Sequence, residues 1–370
     1  MFLFMNSPVG IDPIAPRQER LRALLERRRW SFLLVSNPTN VFYLTGFRGS
    51  AGVAVIGLRE GLLWVDPRYT LQAREEARGV EVLEERGGLL KAAVAWLKKK
   101  RAQRVAFEDT HLTCAEYPNL KQGLPGRGRL IPAGTLIEDL RYVKDEVEVQ
   151  CIREACRLTA KVFKEVLRQT RPGVRESDLA AEIEYRMRRK GAEGRAFETI
   201  VASGPRSAFP HARPSAKLLR KNELVIFDLG ARLSGYVADM TRTVYLGSPP
   251  RRIRGLYDAV RRSQLRAVES LRAHALAGDV DAAARGELAR RGLARYFTHS
   301  TGHGVGLDIH ERPRLGRGER SSLKPGCVVT AEPGIYIEGL GGIRIEDTVL
   351  VGAGGPEILT LVSKDAWFTD

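Results

Sequence analysis

The stretch ELVIFDLGARLSGYVADMTRTVYLG, residues 223–247, decides how the second half of this chain folds. Two β-rich runs flank a Ser-Gly segment, and small turn residues between apolar runs are the punctuation of a β-hairpin. Asp228 and Asp239 stand eleven positions apart within it. A turn centred near Leu233 and Ser234 places the two acids opposite each other. A second stretch, CVVTAEPGIYIEGLGGIRIEDTVLV at 327–351, has the same form, with Glu332 and Glu346 fourteen positions apart about a centre near Gly339.

Both hairpins therefore set an acid against an acid. Cross-strand neighbours have Cβ atoms about 4.5–5.5 Å apart, where like charges repel. Each acid also lies in an apolar run, where an ionised carboxylate without a partner is costly. A positive charge has to sit between them: an arginine such as Arg242 or Arg344, or a metal. The segment HSTGHGVGLDIHE (299–311) tips the balance toward metal, because it carries three of the six histidines on a glycine-rich backbone. One imidazole of HSTGHGVG would ligate, and the glycines let the backbone approach closely. His299 reads as a satisfied core histidine, and His310 is free to hydrogen-bond a substrate. Four carboxylates and one imidazole, without thiolates, suit Mn²⁺, Co²⁺ or Fe²⁺ and also Zn²⁺. Four acids exceed the needs of one divalent ion, so the count fits a two-metal centre.

Outward from the hairpins, amphipathic helix patterns occupy 145–170, 176–190, 255–274 and 279–291, giving an α+β second domain. The first part alternates helix and strand signals. RLRALLERRRW is a basic helix, FLLVS a buried strand, VAVIGL and LLWVD a strand pair, and LLKAAVAWLKKK a second helix. The Gly/Pro-rich LPGRGRLIPAGT marks a break, and the domains read as 1–138, a smaller α/β unit, and 139–370.

The 370 residues carry 60 Lys+Arg against 44 Asp+Glu, a formal charge of +16. The basic runs, such as RMRRK at 186–190, follow helical periodicity and read as solvated helix faces, so no specific nucleic-acid partner is expected. Cys114, Cys151, Cys156 and Cys327 show no CxxC spacing, which argues against a zinc ribbon or disulfide framework and for a reduced cytoplasm. The opening MFLFM lacks a basic flank and ends at Asn6, Ser7 and Pro8, too short for a signal segment. No later run reaches membrane length.

Together, VIFDLGA…GYVADMTRT, HSTGHGVGLDIHE, TAEPGIY and GIRIED resemble, in order and spacing, the metallopeptidases of the pita-bread fold. The likeness is to the proline-specific branch, Xaa-Pro dipeptidase (prolidase) and Xaa-Pro aminopeptidase. SGPRSAFPH (203–211) resembles that branch's further histidine motif. SNPTNVFYLTGFRGSAG and LWVDPRYTLQA resemble its creatinase-like N-terminal domain.

The resemblance implies a pita-bread catalytic domain that binds two divalent ions, foremost Mn²⁺ with Co²⁺ or Zn²⁺ as alternatives, through Asp228, Asp239, His303, Glu332 and Glu346. It implies His211 and His310 as histidines contacting substrate and Glu332 as general base. Arg314 is the candidate for a dipeptide's terminal carboxylate. Arg344, also placed at the substrate site, is the candidate for orienting the metal-site carboxylates. The implied activity is hydrolysis of the Xaa-Pro bond of short peptides, as a dipeptidase or else an aminopeptidase, by a cytoplasmic homodimer. Two departures are small: Ala212 follows His211 where glycine is common, and Ala238 precedes Asp239 where serine is frequent. The intact ligand set disfavours both a metal-independent creatinase-type amidinohydrolase and a non-catalytic binding protein of this fold.

Overall fold

The computed structural model describes residues 12–124, 130–365 and 367–369; the MFLFM opening and part of the Gly/Pro-rich break lie outside these. The chain forms two compact units, up to Arg141 and from Tyr142 onward. A division at 138/139 would cut the helix Leu136–Arg141, so the structural boundary falls at that helix's end. Among the described residues no helix is long and apolar enough to cross a membrane.

In the first unit a six-stranded sheet runs Glu81–Glu84, Gly61–Val65, Gly52–Gly57, Phe32–Val35, Val105–Phe107, Leu130–Pro132. The Gly52–Gly57 strand is antiparallel to both its neighbours, and the remaining pairs are parallel. The basic helix Ile14–Arg28 ends where Arg29 takes a left-handed conformation. Helix Leu89–Lys99 buries Ala93, Val94 and Leu97 with Trp64, Val105 and Phe107 of the sheet.

In the second unit two helix pairs each cover a sheet, the expected α+β arrangement. Helix Glu146–Leu167 starts at a capping box, in which the Asp145 side chain accepts from the Glu148 N–H and the Glu148 side chain accepts from the Asp145 N–H. With Glu176–Arg189 it packs Val162, Phe163, Ile183 and Met187 against Val225, Phe227, Met240 and Val244. These belong to a sheet ordered Phe368–Thr369, Met240–Leu246, Leu224–Leu229, Ile200–Ser203. The second pair, Arg251–Ser270 and Ala277–Ala289, packs Ala267, Val280 and Ala284 against Val329, Ala331, Val349 and Val351. That sheet is ordered Glu311–Leu315, Gly302–Gly304, Val328–Ala331, Asp347–Gly352, Gly355–Ile358. The expected 255–274 helix starts four residues earlier, directly after Pro250, which supplies its N-cap position. It ends before the fully buried Leu271.

Both motif hairpins form, and each is interrupted midway. Leu224–Leu229 pairs with Met240–Leu246, but the tip, Ala231–Leu233 with Tyr236–Val237, belongs to a separate three-stranded sheet. The break falls at Gly230, where an added Cβ would lie 1.9 Å from the Ala238 carbonyl oxygen. The turn itself uses Ser234 (φ 54°) and Gly235 (φ 82°), both left-handed, as a two-residue hairpin turn requires. Its centre is thus one residue later than the sequence reading, and the partner of Asp228 shifts from Asp239 to Thr241. The two acids are diagonal neighbours, not directly opposed.

The second hairpin keeps its expected register. Val328–Ala331 pairs with Asp347–Gly352, and Gly334–Ile337 with Gly341–Arg344 in a small sheet of their own. The pairs Ala331–Asp347 and Gly334–Arg344 bracket the interruption, so Glu332 and Glu346 face each other within it. Pro333, with no N–H to offer a ladder, sits at that break.

Candidate active site

The hairpin interruptions are where the acids lie. Asp228 is still paired within Leu224–Leu229, two residues ahead of the break at Gly230, whereas Asp239 precedes Met240–Leu246, Glu332 follows Val328–Ala331 and Glu346 precedes Asp347–Gly352, and His303 comes from the short strand Gly302–Gly304. A residue beside a ladder break is released from pleated alternation, so several elements can aim side chains at one point. Carboxylate oxygens of Asp239 and Glu346 and a ring nitrogen of His303 come within 4.8 Å of one another. Glu332 Oε1 lies 3.4 Å from His303 Nε2, and Asp239 Oδ2 lies 3.6 Å from it. Asp228 lines the same cavity.

Four of these five side chains, all but Asp239, are oriented by a neighbour. His303 Nδ1 donates to the Gly304 carbonyl at 3.0 Å, which leaves Nε2 as a lone pair facing the carboxylates. Thr330 Oγ1 accepts from the His303 N–H at 3.0 Å and lies 3.3 Å from Glu332 Oε1, to which it donates. Thr241 Oγ1 donates to Glu346 Oε2 at 2.7 Å. Arg344 donates through Nη2 to Asp228 Oδ2 at 2.6 Å, through Nε to Thr241 Oγ1, and through Nη1 to the Tyr336 hydroxyl and the Pro210 carbonyl.

The protonation pattern follows from burial. Desolvation first, and then neighbouring carboxylates, push Asp239 and Glu346 well above the ordinary carboxylate range. Burial carries Glu332 to about 8 against the opposing pull of Arg344, and it holds His303 below its usual value. An imidazole lone pair thus points at acids that burial crowds together. Two buried oxygens, Asp228 Oδ1 and Glu346 Oε1, have no hydrogen-bond partner among the described residues. Oxygen-rich donors, a neutral imidazole and unpartnered buried carboxylate oxygens are what a hard or borderline divalent cation satisfies. The residues fit the metal centre the sequence implies.

Of the two arginines considered for the gap between the acids, Arg242 points elsewhere. It donates to Asp347 at 2.7 Å and to the carbonyls of Thr241, Val362 and Glu346. Arg344 makes the contact with Asp228, is 4 % exposed, and commits all three of its nitrogens to neighbouring groups. Its place is therefore among the clustered carboxylates, on Asp228. Arg344→Met would leave the Asp228 charge buried and unpaired, and it is expected to lower the stability of this unit by about 3–5 kcal/mol. Thermal or urea melts of the chelated protein check this, and an unchanged midpoint would remove Arg344 from that role.

A cavity of about 690 Å³ opens over the site, lined also by Phe197, Ile200, His211, His310 and Arg314. His211 and His310 are exposed to it, and the His310 ring centre is 4.4 Å from that of His303. Arg314, exposed, is the strand partner of His303. His299 does not join the cluster of donors. Its Nδ1 donates to the Ser300 carbonyl, so Nε2 accepts from the Tyr336 hydroxyl at 2.9 Å, and burial brings its pKa to about 4. It stays neutral and structural, as read from the sequence.

Thr241, Thr330 and Tyr336 were not singled out in the sequence. Each sits in an ordinary β-run, where a hydroxyl residue looks like any strand former. Glu311 was also passed over. Its Oε1 accepts from the Leu307 and Asp308 N–H groups and its Oε2 from Lys144, a buried ion pair at 2.9 Å that shapes the loop leading to His310.

The chain belongs to metallopeptidase family M24, which it matches over residues 150–353, and residues 17–143 match the creatinase/prolidase N-terminal domain. It is 35 % identical to a Xaa-Pro dipeptidase of Pyrococcus furiosus over 94 % of this chain and 99 % of that one. A Xaa-Pro dipeptidase structure from Bacillus anthracis superposes with a TM-score of 0.92 at 36 % identity, covering 96 % and 100 % of the two chains. An X-Pro aminopeptidase structure from Thermotoga maritima gives 0.87 at 34 % identity, covering 95 % and 100 %. The chain is accordingly a hydrolase of the metallopeptidase type.

Proposed function

We propose that this enzyme hydrolyses the bond between any residue and proline in dipeptides, with two divalent ions, Mn²⁺ foremost, held by Asp228, Asp239, His303, Glu332 and Glu346. The observation that carries the reading is the convergence of these five side chains, two with unpartnered buried oxygens, beneath a cavity that also presents Arg314. The cavity volume suits a short peptide. The relatives named Xaa-Pro dipeptidase support the same substrate class.

When bound, the ions supply Lewis acidity and make a water a competent nucleophile near neutral pH. The chain's own residues do the rest. Glu332, steadied by Thr330, takes the proton of the attacking water and passes it to the proline nitrogen as the bond breaks. His310 and His211 face the cavity from its exposed side and donate hydrogen bonds to the scissile carbonyl oxygen as negative charge develops there. The proline nitrogen has no N–H at the scissile bond, so that donor plays no part in recognition. Ring fit and the peptide's charged ends replace it, with Arg314 binding the terminal carboxylate bidentately. Arg344 holds Asp228 in place.

The test is to follow release of proline from Ala-Pro, and of alanine from Ala-Pro-Ala, by the Mn²⁺-loaded protein. Turnover of the dipeptide supports the proposal. Efficient cleavage of the tripeptide with a resistant dipeptide would replace it by the aminopeptidase reading, which the Thermotoga maritima neighbour favours. Homodimeric assembly in the cytoplasm belongs to the same proposal by family resemblance, and sedimentation of the purified protein checks the assembly.

A further inference from the structure

Beside the candidate active-site cavity lies a second one of about 430 Å³, and His299, Ser300 and Arg314 form a wall common to both. Its lining is strongly basic. Arg285, Arg295 and Arg317 join Arg314, against one carboxylate, Glu319. Arg285 is already neutralised: it donates to both oxygens of Asp281 and to the carbonyls of Phe297 and His299. Glu319 is engaged by the N–H and hydroxyl of Ser321.

The other three guanidiniums differ. Arg295, Arg314 and Arg317 are exposed and enter no ion pair among the described residues. Arg295 reaches only its neighbour Tyr296, lying over the ring and donating to the hydroxyl. Three like charges on one concave surface raise the local positive potential, and a bound anion relieves it. The position of the cavity says which anion. A dipeptide's carboxylate ends at Arg314, whereas a longer peptide continues past that residue, across the shared wall.

We propose that this second cavity is a subsite for the residue following proline in longer substrates, and that it selects an acidic side chain there. The inference rests on the Xaa-Pro reading above and extends it. Arg314 marks the boundary: it meets the proline carboxylate of a dipeptide, and it flanks the backbone of a longer peptide whose next side chain faces Arg295 and Arg317. Guanidinium pairs with carboxylates bidentately, which gives direction as well as charge. The exposure of all three makes the preference sensitive to salt.

The experiment compares kcat/KM of the Mn²⁺-loaded full-length enzyme for Ala-Pro, Ala-Pro-Glu, Ala-Pro-Gln and Ala-Pro-Lys at low and high ionic strength. Ala-Pro-Glu is expected to exceed Ala-Pro-Gln by about tenfold at low salt, with Ala-Pro-Lys lowest and the spread shrinking as salt rises. In the double variant Arg295→Gln, Arg317→Gln the Glu/Gln ratio should fall toward one. Because it is a ratio within one enzyme, a general loss of activity cancels.

A Glu/Gln ratio of one in the wild type, or tripeptides left intact while Ala-Pro is cleaved, overturns the subsite and leaves the dipeptidase proposal standing. A preference that persists in the double variant assigns it to the overall +16 charge and also overturns the subsite. If no peptide is cleaved, the Xaa-Pro reading fails and this inference falls with it.

Discussion

Stripping the metal with a chelator is expected to reduce Ala-Pro hydrolysis below detection, and Mn²⁺ or Co²⁺ added back should restore it. The same treatment lowers the melting temperature, a readout independent of turnover. A ligand that binds only the folded state at about 100 times its Kd adds about 2.7 kcal/mol. The gap between metal-loaded and metal-free melting temperatures should widen as pH rises from about 5 to about 8, for two reasons. In the metal-free protein Glu332 has its pKa raised to about 8, with Asp239 and Glu346 raised as well. A raised carboxyl pKa means the folded state holds more protons than the unfolded one. The stability this contributes is complete below the unfolded pKa and is lost as pH rises through the folded value. Metal binding needs those groups, and His303, deprotonated, so affinity grows over the same window. A gap that stays constant or narrows with rising pH would show that these carboxylates are not the ligands.

Glu332→Gln is expected to lower kcat by a factor of about 10² to 10⁴, the usual worth of a positioned general base. The amide keeps the size of the side chain and can still accept from Thr330, so the fold around Val328–Ala331 should survive, as circular dichroism can verify. Metal content measured alongside separates two ways of failing. A variant that retains its metal and loses kcat supports proton transfer by Glu332, whereas one that has lost metal shows the residue acting first as a ligand. Retention of both metal and wild-type kcat would end the role given to Glu332 in either sense.

Much of this site was legible because its chemistry is expensive to hide. Acids in VIFDLG and IRIED contradict the apolar runs around them, and a strand interior carries such a contradiction only when something compensates it. The hairpin spacing located Glu332 opposite Glu346 correctly, since Gly339 marks its turn. It misplaced Asp239 by two positions because the turn could be centred on either Leu233–Ser234 or Ser234–Gly235. Steric demand for two left-handed residues, which glycine meets at least cost, settles the choice.

The hydroxyls of Thr241, Thr330 and Tyr336 could not be singled out. Their roles depend on which strand comes to lie beside them, and Tyr336 in GIYI reads as core. The need for a positive charge between the acids left Arg242 and Arg344 both open, and only the place of Arg344 two residues before Glu346 favoured it; what separates them in the structure is what faces each across sheets and loops more than 100 residues away in the chain.

Two kinds of information therefore part company here. Periodicity, turn residues and the misfit of charged groups in apolar runs are local, and they were enough to determine two helix-and-sheet units, two hairpins and four candidate acids beside one imidazole of HSTGHGVG, which the family resemblance narrowed to His303. Direction is not local. Which ladder breaks, which way each carboxylate then points, and which three arginines share a concavity while entering no ion pair among the described residues are decided only when distant segments pack. Side-chain aim depends on neighbours that the linear order does not reveal.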